Sequence, residues 1–154
     1  VPGRSTRRKG PILPQARTAQ PVPSPVRPAP PMTKVTIFGC TPMGESIASC
    51  LAISETVSEI VIHDDNHEKV KGVVMDFNHG QLFHSAHVIG AETVVDTAFS
   101  DVVVVTHGMP VTPEETAEAK EERLAKLKAY FEEIAPVITK LSKNAVVIVV
   151  CYPN

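Results

Sequence analysis

The chain has 154 residues, of which 43% are hydrophobic and 21% charged, and its formal net charge is −2. This length and balance indicate one globular domain, and no apolar run is long enough to predict a membrane-spanning helix. The three cysteines have no metal-ligand spacing, and their odd number argues against a disulfide framework and for a reducing compartment.

Residues 1–33 are predicted to form a basic, proline-rich extension. They hold nine of the 14 prolines, and residues 1–34 contain seven basic residues and no acid. The remaining residues therefore carry an excess of nine negative charges. Because proline is excluded from helix interiors and central strands, we expect an extended, polyproline-like segment. Its composition suits a disordered linker, the remainder of an organelle transit sequence, or an arm that lies on an anionic surface such as RNA or an acidic subunit.

Residues 34–39 predict a buried first strand, and the apolar period of residues 44–53 predicts a helix. Residues 39–44 between them read GCTPMG, the spacing of a dinucleotide-binding turn in which Thr41 replaces the middle glycine. A β-branched residue before proline is restricted to extended geometry, and Pro42 supplies no amide donor. We therefore expect weak dinucleotide binding by this turn. Its predicted cofactor contacts are Gly39, Thr41, Met43 and Gly44.

Residues 59–64 predict a second buried strand that ends on Asp64, 25 residues after Gly39. An acid near this spacing accepts hydrogen bonds from both ribose hydroxyls and repels a 2′-phosphate, so the expected cofactor is NAD rather than NADP. The alternative is a strand-end aspartate that caps the next helix, predicted over residues 67–79.

The later elements continue the alternation of strands and helices. We expect a short strand at 86–89, a short helix at 94–99, a buried strand at 101–106, a long helix at 114–143 that Pro136 kinks or splits, and a last buried strand at 145–150. Unbroken apolar strands that alternate with helices indicate a parallel sheet covered on both faces.

Residues 34–154 resemble the amino-terminal, NAD-binding half of the lactate and malate dehydrogenases. The resemblance is carried by KVKGVVMDFNHG at 69–80, VVVTHGMP at 103–110 and IVVCYP at 148–153. It implies a doubly wound, Rossmann-like α/β fold with strand order 3-2-1-4-5 and the nucleotide across the carboxyl ends of the strands. It adds three predicted cofactor contacts, namely Thr106, Gly108 and Tyr152.

The chain also departs from the resembled family where the substrate would bind. Val111 stands where malate dehydrogenases carry an arginine that clamps a substrate carboxylate. The second loop arginine has no secure counterpart, since Lys120 and Arg123 are expected on the solvated face of the long helix. Tyr152 replaces an asparagine that contacts cofactor and substrate. The family's catalytic histidine and its partner aspartate belong to the carboxyl-terminal half, so we predict no catalytic residue among these 154.

Three functions are consistent with this pattern. The first is a non-catalytic domain that serves as a structural or binding subunit of a larger mitochondrial assembly and docks through residues 1–33. The second is a fragment or divergent form of an NAD-dependent malate or lactate dehydrogenase, which transfers hydride between NAD and a 2-hydroxy acid. The third is an organelle ribosomal accessory protein with an RNA-binding arm. The expected compartment is the mitochondrion, with the cytoplasm as the alternative, and the scattered histidines predict no metal site.

Overall fold

The computed structural model describes residues 33–108 and 116–151. Nearly all of the proline-rich extension, the loop that contains Val111, and Tyr152 lie outside these residues. The elements in chain order are β1 (Lys34–Phe38), α1 (Pro42–Ile53), β2 (Glu59–His63), α2 (His67–His79), β3 (His87–Gly90), β4 (Val102–Val105), α3 (Ala117–Leu141) and β5 (Val146–Val149). Two short 3₁₀ turns, Gln81–Phe83 and Val94–Thr97, precede β3 and β4.

The five strands form one sheet in the order β3-β2-β1-β4-β5, which confirms the predicted topology. All four pairings are parallel, and Ile37 of the central strand β1 lies opposite Ile62 of β2 on one side and Val104 of β4 on the other. Parallel strands bring their carboxyl ends to one edge of the sheet. The turn after β1, Asp64 after β2 and Thr106 after β4 therefore meet at that edge.

Two buried layers hold the helices to opposite faces of the sheet. On one face, Ile37 and Ile60 pack with Ala48 of α1, and all three are fully buried. On the other face, Val103 packs with Ile134 of α3. The buried apolar strands and the periodic apolar faces of the helices thus meet as the sequence predicts. Within the described residues, no helix has the length and apolar character needed to cross a membrane.

The bounds of the helices differ from the prediction where proline occurs. Helix α1 begins at Pro42, two residues earlier than predicted, because Thr41 caps the helix and proline suits the first helical position. Helix α3 continues through Pro136 for 25 residues, so the expected split does not occur. The buried side chains Ile134 and Ile138 flank the proline and hold both parts of the helix against the sheet.

The outermost strand β5 differs from its predicted burial. We expected a buried strand, but all four of its side chains are 46–62% exposed. The strand pairs with β4 alone, and the described part of the chain places no layer over its faces. An apolar run can therefore predict a strand correctly without predicting what covers it.

Candidate nucleotide-binding crevice

The two glycines of the turn after β1 are required by close packing. Gly39 has a φ of +109°, and a Cβ built there would lie 2.6 Å from the backbone nitrogen of His107. A Cβ on Gly44 would overlap the Gly39 carbonyl oxygen and lie 2.8 Å from Thr106 Oγ1. The turn is therefore pressed against the end of β4, with no space for a side chain at either position.

Thr41 has the extended geometry expected for it, with φ −95° and ψ 163°, and it is the N-cap of α1. Its Oγ1 accepts a hydrogen bond from the Gly44 amide at 3.2 Å, and its carbonyl accepts one from the Glu45 amide at 2.8 Å. Pro42 has no amide hydrogen. Of the first four residues of α1, only Met43 retains an amide for an anion, so the helix N-terminus is poor in donors.

Asp64 is already engaged by the backbone of its own edge of the sheet. Its Oδ2 accepts from the Cys40 amide at 2.7 Å, and its Oδ1 accepts from the Asn66 amide at 2.9 Å. The helix-capping alternative is wrong, because Asn66 is the N-cap of α2 and accepts from the Lys69 amide at 3.1 Å. A carboxylate offers about four lone-pair positions. Asp64, which is half-buried, therefore retains acceptor capacity for a ribose hydroxyl.

Lys69 bridges α2 to the turn, a role that sequence reasoning missed. Its Nζ donates to the Cys40 carbonyl oxygen and lies 2.8 Å from Glu45 Oε1. The hydrogen bond with Glu45 raises the pKa of Lys69, so the bridge remains charged near neutral pH. No spacing rule connects residue 69 with residue 40, and the contact exists only through the fold. The Lys69 ammonium and the Glu45 carboxylate offset each other, so the pair leaves little net charge beside the turn.

The polar side chain at the end of β4, Thr106, forms its hydrogen bond within the protein. The buried Thr106 hydroxyl donates to the Gly39 carbonyl oxygen at 2.8 Å, which fixes the turn to this strand. Gly108 is half-buried, and a Cβ there would meet no atom closer than 4.0 Å, so this position is open toward a ligand. The predicted contact at Tyr152 lies outside the described residues.

An aromatic pair also lies at this edge, and no pattern in the sequence predicted it. The rings of His107 and Tyr130 stack with centroids 3.8 Å apart and an interplanar angle of 13°. The Cys151 thiol donates to the His107 carbonyl oxygen at 2.9 Å. Burial raises the pKa of Tyr130, and the charges of Asp65 and Asp64 raise it further. Tyr130 comes from α3, so only the packing of that helix brings it here.

Two further predictions concern charge and metal ligands. Arg123 was expected on a solvated helix face, but it is 5% exposed, so that prediction is wrong. The guanidinium is turned inward in the first half of α3 rather than presented as a surface cation. Across residues 33–108 and 116–151, no three His, Cys, Asp or Glu side chains converge as metal ligands.

Comparisons with known proteins show which family and fold this chain resembles. The family model for the NAD-binding domain of lactate/malate dehydrogenase matches residues 33–154. L-lactate dehydrogenase 1 of Clostridium acetobutylicum is 35% identical over 121 residues, which cover 79% of this chain and 38% of that protein. An L-lactate dehydrogenase of Clostridium botulinum is 32% identical, with 79% of this chain and 37% of that protein covered.

A solved structure shows the same fold. The malate dehydrogenase of Salinibacter ruber matches with a TM-score of 0.68 at 24% identity, covering 79% of this chain and 37% of that one. The chain thus spans less than two fifths of the length of the curated relatives it matches.

Proposed function

This chain belongs to the lactate/malate dehydrogenase family through its NAD-binding domain, and from that premise we propose that it is a binding domain with weak NAD affinity and no hydride transfer of its own. The observation that carries the proposal is the turn after β1. The Thr41 hydroxyl accepts a hydrogen bond from the Gly44 amide, and Pro42 has no amide hydrogen to donate. In a larger assembly, such a domain serves as a structural or binding subunit.

The donor count at the turn sets the expected loss of affinity. A pyrophosphate at a helix N-terminus is held by several backbone amides and by the helix dipole. Here Met43 supplies the one amide that α1 leaves in its first four residues. A hydrogen bond to a charged group contributes about 1.5–3 kcal/mol. Loss of one such contact weakens binding by about 10- to 100-fold.

The double substitution Thr41→Gly with Pro42→Ala tests this account directly. It restores an amide at residue 42 and frees the Gly44 amide. Because one regained contact contributes about 10- to 100-fold, we expect NAD binding at least about tenfold tighter in calorimetric titrations. Stability changes little, because glycine replaces threonine as an N-cap at a cost of a few tenths of a kcal/mol.

Thr116→Gly is the matched control. Thr116 is the N-cap of α3, and its hydroxyl accepts a hydrogen bond from the Ala119 amide at 3.3 Å. The control variant therefore loses the same kind of helix cap as the turn variant, at a position away from the turn. NAD affinity should not respond to this variant. Unchanged NAD titrations for the turn variant would contradict the role of the turn. Oxidation of malate or lactate by the chain alone would contradict the absence of hydride transfer.

The second candidate function is that of an NAD-dependent malate or lactate dehydrogenase within a longer polypeptide. It is favoured by 35% identity to a lactate dehydrogenase of which the chain covers 38%. Sequencing of the transcript distinguishes the two functions. A reading frame that continues into a catalytic histidine and its aspartate would support the second, and a stop codon would support the first.

A further inference from the structure

A groove of about 340 Å³ lies between α1 and α2. Its lining includes the buried Ala52 and the half-buried Val73 and Phe77. Ile53 and Phe83 also line it, and they are 69% and 84% exposed. Large apolar side chains that remain in water around a groove indicate a binding surface. We refer to this surface as the α1–α2 groove.

The aromatic wall of the α1–α2 groove is held in place by contacts within the protein. The two ring nitrogens of His84 lie 3.0 Å from the Phe77 carbonyl oxygen and 3.1 Å from the Ala86 carbonyl oxygen. The rings of Phe77 and His84 meet edge to face, with their centroids 6.0 Å apart. Grooves lined by aromatic side chains bind polyproline helices, which are already extended before they bind. The α1–α2 groove therefore suits a proline-rich ligand.

The α1–α2 groove also carries negative charge. Glu45 and Asp76 both line it. Glu45 is paired with Lys69, whereas Asp76 forms no ion pair with any described residue. A guanidinium would find a carboxylate partner in Asp76. Residues 1–32 combine nine prolines with six basic side chains and no acid, so they match the groove in both respects.

The extension joins the domain at the same edge of the sheet as one end of this groove. The Ser58 amide donates to the Thr33 carbonyl oxygen at 3.0 Å, where β1, β2 and β3 begin. Ile53 ends α1 shortly before β2, and Phe83 lies shortly before β3. Residues 21–31 read PVPSPVRPAPP. A polyproline helix of this length spans about 34 Å, and the 12 residues of α1 span about 18 Å. The segment is therefore long enough to follow the groove.

We propose that residues 21–31 dock as a polyproline helix in the α1–α2 groove of the same chain, with Arg27 beside Asp76. Docking covers the exposed side chains of Ile53 and Phe83. The inference concerns a surface other than the nucleotide-binding turn and does not depend on the proposed function. A partner that binds the extension has to compete with the groove, so docking is a local equilibrium and its readout is contact rather than unfolding.

Spin labelling of the intact chain tests this contact. Cys50 of α1 is exposed, whereas Cys40 is buried and Cys151 is half-buried, so a thiol-directed label reacts preferentially with Cys50. If most molecules are docked, the methyl NMR signals of Val22 and Val26 should be weaker by about half or more than after reduction of the label. An intramolecular contact does not depend on concentration, so this loss should persist on dilution.

Variants on both sides of the contact identify the surfaces involved. Phe83→Ser removes one wall of the groove, and Pro25→Gly with Pro28→Gly removes the polyproline preference but keeps length and charge. Each should restore most of the lost signal. Asp76→Asn should restore part of it and make the remaining loss less sensitive to salt. The matched control is Phe99→Ser, which should restore none, because Phe99 is 88% exposed at the same edge but lies beside the end of α3.

Each contrary result overturns the proposal. Undiminished Val22 and Val26 signals would mean that the extension does not reach the groove. A loss that both Phe83→Ser and the double glycine variant leave intact would place the extension elsewhere. A loss that disappears on dilution would assign the groove to the extension of a second copy. A dimer in sedimentation that Phe83→Ser dissociates and the glycine variant does not would make the groove an interface between copies. The glycine variant alone decides if Phe83→Ser does not fold, as judged by circular dichroism.

Discussion

At the scale of the residue, the Thr41 side chain forms a helix-capping hydrogen bond with an amide that could otherwise bind a ligand. Its hydroxyl accepts from the Gly44 amide, and it lies 3.4 Å from the Thr106 carbonyl oxygen, to which it donates. A threonine N-cap stabilises a helix by about 1 kcal/mol relative to alanine. The same amide is then unavailable to a phosphate, which is the basis of the weak NAD binding that we propose.

The two helical glycines Gly44 and Gly72 should respond oppositely to alanine. A Cβ on Gly44 meets the Gly39 carbonyl and Thr106 Oγ1, both held in place, so we expect Gly44→Ala to lower the free energy of unfolding by about 1–3 kcal/mol. A Cβ on Gly72 meets no atom within 4 Å, so Gly72→Ala should raise it by about 0.5–1 kcal/mol.

Urea unfolding of both variants measures these changes. Equal effects at the two positions would mean that the turn relaxes to admit a side chain, contrary to the close packing described above. A reduced m-value for Gly44→Ala would instead indicate a looser native state.

At the scale of the element, the sequence predicts what is local. Apolar runs located the strands, and helical periods located α1, α2 and α3, because hydrophobic spacing is a property of neighbouring residues. The burial of β5 could not be predicted in this way, since it depends on layers contributed from elsewhere. The contact of Lys69 with Cys40 and the stack of Tyr130 on His107 could not be predicted either, because each joins residues from separate elements.

Helix α3 provides a test of how tertiary packing overrides a helix-breaking residue. Pro136 is exposed and lies in the interior of the helix, where proline costs about 3 kcal/mol relative to alanine. Part of this is offset by the stiffer unfolded chain. We therefore expect Pro136→Ala to raise the free energy of unfolding by about 1–3 kcal/mol in urea titrations.

Pro42→Ala is the matched control for this prediction. Pro42 occupies the first position of α1, where the missing amide hydrogen is not needed by the helix. Its replacement should change stability by less than about 0.5 kcal/mol. If Pro136→Ala is equally neutral, the helix is already bent or locally rearranged around the proline at no net cost.

At the scale of the whole molecule, charge is divided between a basic extension and an acidic domain. The predicted boundary at residue 33 falls on a residue that the domain holds, because the Thr33 carbonyl accepts from the Ser58 and Glu59 amides at 3.0 and 3.2 Å. The extension that can be removed without touching these bonds is therefore residues 1–32.

Deletion of residues 1–32 should leave the domain folded and release it from its partner. We expect unchanged circular dichroism and urea unfolding, together with loss of co-purification from the native source. Co-purification that survives the deletion would contradict the docking role of the extension. Binding that falls steeply with salt would indicate an anionic partner, such as RNA or an acidic subunit, because charged contacts are screened and phosphates release counterions. A protein partner held by apolar contacts would show a shallow dependence.

The amides of Cys40 and Asn66 each donate a hydrogen bond to one oxygen of the Asp64 carboxylate, so its orientation is set without a ligand. A group whose rotamer is already ordered loses little conformational entropy on binding. In the NAD-binding role that we propose, Asp64 is therefore preorganised for a ribose, and the ligand loses mainly its own conformational freedom. NAD analogues with a conformationally locked ribose should consequently bind this chain more tightly than flexible analogues of the same polarity.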